Sequence, residues 1–160
     1  MINEWGGSGI EKVTFDYITS RISHGSIFVE LGAGRVSTRE FCKVFSLYSV
    51  EQNSEYCGIY PGTNYIHAPI RNGWYDTEIL KRELPKNISG IFVDGPAGSG
   101  NRNGLLANID LFDMTDDVII VFHDTYRDEE LKLAQKMADQ LGMKISLFTE
   151  GDYFAILSKT

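Results

Sequence analysis

The chain has 160 residues, of which 42% are hydrophobic, a length that fits one domain able to bury its own core without metal or disulfide staples. Its 15 Lys and Arg stand against 22 Asp and Glu, a net charge of −7, and the scattered basic residues argue against a nucleic-acid partner. No apolar run reaches membrane-spanning length, the start Met1–Trp5 lacks the regions of a secretory signal, and Cys42 and Cys57 form no metal-type pair, so a single cytoplasmic domain over 1–160 with free, buried thiols is expected.

The elements follow in chain order. Ser8-Gly-Ile-Glu11 has the form of a capping box. Ile10, Val13, Tyr17, Ile18 and Ile22 recur at helical spacing and predict a helix over 9–22. The apolar run 26–31 reads as a buried strand. Ser37-Thr-Arg-Glu40 is a second capping box, opening a helix that turns Phe41, Val44 and Phe45 inward. Strands follow at 47–50 and 65–68. Asp76 caps a helix carrying Ile79, Leu80 and Leu84, which Pro85 ends. A fourth strand covers 88–93, a helix 105–112 and a fifth strand 118–122. A long helix over 128–141 puts Leu131, Ala134, Ala138 and Leu141 on one face and stops at Gly142. Then the period changes. Met143, Ile145 and Leu147 alternate with polar residues, Glu150-Gly-Asp152 is a turn, and 153–157 is a last strand. The alternation predicts a three-layer α/β fold, a mostly parallel seven-stranded sheet with a C-terminal antiparallel hairpin.

Open parallel sheets bind ligands beyond the carboxyl ends of their strands, where the strand order reverses. That rule selects Glu30 to Gly34, Glu51, His67, Asp94 and His123-Asp124. Glu30-Leu-Gly-Ala-Gly34 allows a tight turn and close approach to the backbone, with Ser37 standing where a dinucleotide fingerprint has its third glycine. An acid directly before the loop suits a cationic amine better than a diphosphate. Glu51, at the end of the second strand, is placed to accept both hydroxyls of a ribose.

Val29-Glu-Leu-Gly-Ala-Gly34 followed by Val50-Glu51 resembles the class I S-adenosylmethionine-dependent methyltransferases, whose sheet ends in the same reversed hairpin. A smaller subset of that family is closer still, on His67-Ala-Pro-Ile70, Gly73-Trp-Tyr-Asp76, Val93-Asp-Gly-Pro96 and Arg102, with Asp124 and Arg127 after strand five. The resemblance implies that Glu30, Gly32, Gly34 and Ser37 line the methionine end of S-adenosylmethionine, with Glu30 reaching its amino group through the loop or a water. It implies Glu51 at the ribose and His67-Ala68 beside adenine. Asp94 would touch the cofactor as well.

Methyl transfer from a sulfonium needs alignment and exclusion of water more than it needs a base. Asp94 leads as base or acceptor-orienting group, and His123 and Asp124 are further catalytic candidates. Two adjacent strand residues point to opposite faces, so His123 and Asp124 are not expected to act together. Arg102 and Arg127 are expected to bind a carboxylate or phosphate on the acceptor, the alternative being that each is a solvated charge or pairs with Asp94 or Asp124. Gly98-Ser-Gly100 makes the Arg102 loop a candidate lid. Asp94, Asp124 and Asp110 could hold a divalent cation, but Pro96-Ala97 stands where related metal-using proteins carry a His, so a metal is not favoured. Trp5 either closes over the cofactor or packs, and Trp74 and Tyr75 are assigned to the core. The function expected is methyl transfer to a small-molecule or saccharide acceptor, at O or N, with a homo-oligomer as an option. The alternatives are a non-catalytic S-adenosylmethionine-binding or partner-binding module and a nucleotide-dependent oxidoreductase.

Overall fold

Nearly every strand of the main sheet carries apolar side chains on both faces, as a sheet covered on both sides requires. The computed structural model describes residues 5–6, 9–97 and 100–159. Among them, the strands in chain order are β1 (Ile27–Leu31), β2 (Ser46–Glu51), β3 (Asn64–His67), β4 (Ile70–Arg71), β5 (Trp74–Tyr75), β6 (Ile88–Val93), β7 (Met114–His123), β8 (Lys144–Phe148) and β9 (Phe154–Ser158). Seven form one sheet in the order β3-β2-β1-β6-β7-β9-β8, and β4 pairs with β5 apart from it. Neighbours are parallel except at β7–β9 and β8–β9, which are antiparallel. The reversed C-terminal hairpin expected from the change of period is therefore present.

The helices are α1 (Lys12–Arg21), α2 (Ser37–Phe41), α3 (Thr77–Glu83), α4 (Gly104–Asn108) and α5 (Asp128–Leu141). Side-chain alternation sorts them into two layers. Phe28, Leu47, Phe92 and Val121 pack with Ile18 of α1 and Phe41 of α2. Val29, Leu31, Ile91, Ile120 and Phe122 pack with Leu80 of α3, Leu105 of α4 and Leu133 of α5. Period 2 then puts Glu30, Ser49, Glu51, Asp94 and His123 in phase with the first set, on the α1/α2 face.

Several local expectations are corrected. The helix expected over 9–22 covers Lys12–Arg21, with Glu11 at its N-cap and no side-chain cap; Ser8 of the expected capping box lies outside the described residues. The second capping box does not form, because Ser37 Oγ turns inward to the Glu30 carboxylate instead of capping α2. The helix expected over 105–112 breaks at Asn108, whose side chain bonds back to the Gly104 carbonyl (2.8 Å), and continues as a 3₁₀ turn over Ile109–Leu111. Strand β7 begins earlier than expected, Met114 pairing with Ile88 across an irregularity in the ladder. Cys42 and Cys57 are free but only half-buried. By contrast Asp76 does cap α3, accepting from the Glu78 and Ile79 amides at 3.0 and 3.4 Å. Gly142 does end α5 in a left-handed conformation, φ 64°.

Candidate functional site

The strand order reverses between β1 and β6, and the loops leaving their carboxyl ends press together there. Gly32 has φ 94°, and a Cβ on it would lie 2.7 Å from the Asp94 carbonyl oxygen. A Cβ on Gly95 would meet the Gly32 Cα at 2.8 Å and the Tyr75 hydroxyl. Only glycines permit this approach. Glu51 ties the loop to the next strand end. Its Oε2 accepts from the Ala33 amide (2.9 Å) and its Oε1 from the Asn53 amide (3.0 Å). Each oxygen keeps a second lone pair. His67 is exposed, its Nε2 3.2 Å from the Gln52 carbonyl. Ala68 is buried and donates its amide to the Glu51 carbonyl (2.9 Å).

Glu30 lies beneath the loop. It is fully buried, and its carboxylate accepts from Ser37 Oγ, from Thr38 Oγ1 (2.6 Å) and from Ser49 Oγ (2.8 Å). Thr38 Oγ1 in turn accepts from the Gly34 amide (2.9 Å). Strand parity explains the placement, since Glu30 faces α2 with its β2 neighbour Ser49. The geometry makes Glu30 an anchor for the glycine loop, with Ser37 as its donor. Burial pushes the Glu30 carboxyl up to about 7, with the hydroxyl donors pulling the other way.

Asp94, His123 and Asp124 converge, contrary to the expectation that the last two diverge. The reason is local. Asp124 follows the strand with φ 60°, a left-handed turn that breaks the alternation and swings its carboxylate back. His123 Nδ1 lies 3.3 Å from Asp124 and 3.5 Å from Asp94, yet is buried with no hydrogen-bond partner. On its other side Nε2 lies 3.1 Å from Asp152 Oδ2, which also accepts from Thr14 Oγ1 of α1. Burial lowers the imidazole's affinity for a proton. The Asp152 hydrogen bond and the Asp94 and Asp124 carboxylates outweigh it, and the pKa rises to about 10. Asp152 is destabilised as an anion by burial, but its bonds to His123 and Thr14 hold it below the usual carboxylate value. One ligand atom from each of Asp94, His123 and Asp124 lies within 4.8 Å of the others, close enough for one divalent cation to bridge.

Arg102 is largely buried between Asp94 and Glu130, 3.5 Å from each. Arg127 is half-exposed, 3.9 Å from Asp124, with its guanidinium over the Tyr126 ring. Both border a cleft of about 740 Å³ between residues 96–97 and 100–103 on one side and α5 on the other. Gly98 and Ser99 of the candidate lid lie outside the described residues. Asp110 does not join the acidic group. It sits on the 3₁₀ turn leading into β7 and lines a separate cleft with Lys86 and Lys159. Trp5 packs against Phe15 at 5.2 Å between ring centroids, and Trp74 and Tyr75 are buried in the core.

This architecture has known counterparts. A candidate caffeoyl-CoA O-methyltransferase from Staphylococcus aureus matches at a TM-score of 0.66 and 14% identity, over 99% of this chain and 88% of that one. An S-adenosylmethionine-dependent methyltransferase from Archaeoglobus fulgidus matches at 0.65 and 14%, over 93% and 92%. A methyltransferase from Geobacter sulfurreducens matches at 0.64 and 10%, over 92% and 78%. The chain has the class I methyltransferase fold. No family profile matches it, and no curated protein does. Among the described residues no helix is long and apolar enough to cross a membrane.

Three groups at the site escape sequence reasoning. Asp152 reads as a turn residue and Thr14 as one more helix position; nothing local marks either as a partner of His123. The Tyr75 hydroxyl, buried without a hydrogen-bond partner, reaches the Gly32–Gly95 junction from the core. It arrives there on the β4–β5 hairpin, whose signal was available. Asn72-Gly73, with φ 56° and 83°, is the dipeptide that favours a two-residue hairpin turn.

Proposed function

We propose that this chain is an S-adenosylmethionine-dependent methyltransferase acting on a small-molecule or saccharide acceptor at oxygen or nitrogen. The observation that carries the reading is the junction at the strand reversal. There a glycine loop lies against Asp94-Gly95, a carboxylate on the next strand fastens it, and the Tyr75 hydroxyl lacks a partner beside it. An unsatisfied buried hydroxyl is costly without a ligand, and a polar ligand over the loop supplies what it lacks.

S-adenosylmethionine brings a methyl group on a cationic sulfur, ready for in-line displacement. Gly32 and Gly34 keep the loop low enough for a ligand to lie against its backbone, and Glu30 and Ser37 hold that loop from below. Glu51 receives the ribose hydroxyls, with His67 and Ala68 flanking it on the adenine side. The carboxylates of Asp94, Asp124 and Asp152 surround the His123 ring, with Arg102 beside Asp94 and Arg127 near Asp124 as further counter-charges. Asp94 orients the acceptor or takes its proton. His123, charged at neutral pH, holds Asp94 in place, Arg127 meets the acceptor, and Arg102 holds the cleft wall beside it. In this arrangement the imidazolium supplies positive charge beside Asp94 and Asp124.

Calorimetry tests it. S-adenosylmethionine and S-adenosylhomocysteine bind at micromolar concentration and NAD does not; absence of binding by both sulfur ligands overturns the reading. Glu51→Ala weakens binding by about tenfold or more, as loss of charge-assisted hydrogen bonds predicts. Incubation with labelled cofactor and cell extract separates an enzyme from a non-catalytic binder. A chelator leaves labelling unchanged; labelling abolished by chelator and restored by Mg²⁺ or Mn²⁺ assigns Asp94, His123 and Asp124 to a metal.

A further inference from the structure

The protein is acidic, yet the cleft beside Asp94 is not. Four cations line it, Arg102, Arg127, Lys132 and Lys136, against two carboxylates, Glu129 and Glu130. Lys132 and Lys136 are exposed and one turn apart on α5, so both ammonium groups reach the same wall. Among the described residues neither has an ion-pair partner. Arg102 is engaged, holding Glu130 on one side and Asp94 on the other, and is the only cation in the cleft paired with the acids of the reaction centre and of the cleft wall together. It makes the cleft continuous with the candidate centre. Burial pushes Glu130 up against the pull of Arg102 and Arg127. Two unpaired lysines beside Arg127, whose contact with Asp124 is a long 3.9 Å, concentrate a positive field in a concave site of a protein with net charge −7, where the fold as a whole repels anions.

We propose that this cleft is the acceptor subsite and that Lys132, Lys136 and Arg127 bind an anionic oxygen group, phosphate or carboxylate, carried by the acceptor. The acceptor role rests on the methyltransferase function proposed above; the anion site does not. Arg102, already committed between two carboxylates, positions the cleft wall and leaves anion binding to the other three. An acceptor anchored through its anion at the α5 wall would extend its nucleophile toward Asp94.

The test titrates inorganic phosphate, and separately acetate, into isotope-labelled protein at fixed ionic strength and follows backbone amide shifts. Phosphate perturbs the amides of 100–103 and 127–136. The double variant Lys132→Gln/Lys136→Gln weakens its binding at least tenfold, while Lys81→Gln, on α3, leaves it unchanged. Acetate binding more tightly than phosphate identifies a carboxylate as the group; the reverse identifies a phosphate. Neither anion perturbing the cleft, or the double variant binding as the wild type does, overturns the site. S-adenosylmethionine affinity, measured in the same variants, stays within twofold of wild type. Loss of cofactor binding by the wild type thus condemns the methyltransferase reading while leaving the anion site to stand or fall on its own titration. With labelled cofactor and extract, the double variant labels acceptors at less than one-tenth of the wild-type rate; an unchanged rate overturns the acceptor role.

Discussion

Asp152 controls the charge of the candidate centre through one hydrogen bond. His123 is buried, and burial alone would strip its proton; the carboxylates around it reverse that outcome. Removing the charge on the Nε2 side separates the contributions. Asp152→Asn keeps an oxygen to accept from Nε2 but removes the anion, so the His123 pKa falls by one unit or more toward its ordinary 6.5. Imidazole NMR measures this directly. The wild-type ring remains protonated at pH 8, and the variant loses its proton over a lower range; identical titration curves would show that Asp94 and Asp124 alone hold the charge. The sign for stability follows. A raised histidine pKa stabilises the fold below 6.5, and that contribution fades as pH rises toward 10. Sequence reasoning finds His123 and Asp124 because they end a strand that the period identifies. It cannot find Asp152, which is 29 positions from His123, or Thr14, which is 138 positions from Asp152. Only the pairing of the hairpin with β7 and the packing of α1 bring them together. The positive φ at Asp124 is equally silent in sequence, and it decides whether the two residues share a site.

Two glycines separate conformational cost from steric cost at the level of the element. Gly142 ends α5 at φ 64°, and a Cβ there meets nothing within 4 Å. Gly142→Ala therefore costs only the left-handed conformation, about 1 kcal/mol. Gly32 also has positive φ, but its Cβ would press on the Asp94 carbonyl at 2.7 Å, backbone that has little freedom to yield. Gly32→Ala adds a clash to the strain, costs roughly 2–4 kcal/mol, and moves the loop off Asp94, lowering S-adenosylmethionine affinity. Urea unfolding and calorimetry on both variants check the contrast; equal destabilisation would mean that the β1 and β6 loops part easily. Helix and strand identities were legible because periods of 3.6 and 2 persist over whole elements, as in α5 and β8. Capping was less legible. Asp76 caps as its spacing predicts, whereas Ser37 has a stronger alternative partner in a buried carboxylate that arrives from another strand.

At the scale of the whole molecule, one buried carboxyl links fold stability to pH. Glu30 sits between the central strand and α2, inside a core cluster that joins α1, α2 and the α1/α2 face of the sheet. Its sequence position suggested a role at the ligand reached through the loop or a water, because residue 30 precedes the glycine loop; strand parity buries it beneath that loop. With an ordinary value of 4.5 and a folded value of about 7, the native state keeps a proton that the unfolded chain releases between those pH values. Stability from this group is therefore greatest at low pH and declines as pH rises through that window, the reverse of a salt-bridged carboxylate. The low end is inaccessible, since near the pI of 4.9 a protein with no net charge tends to associate. Between pH 5.5 and 8 the decline is about 2 kcal/mol. Glu30→Gln keeps one acceptor oxygen, enough for the Thr38 and Ser49 hydroxyls, turns its amide nitrogen to Ser37, and lacks the titration. Subtracting the variant's urea-unfolding free energy from that of the wild type cancels every other ionisable group, and the difference shifts toward the variant by that amount from pH 5.5 to 8. A difference that stays constant with pH would show that Glu30 is ionised throughout and that its three hydroxyl donors offset the cost of burying its charge.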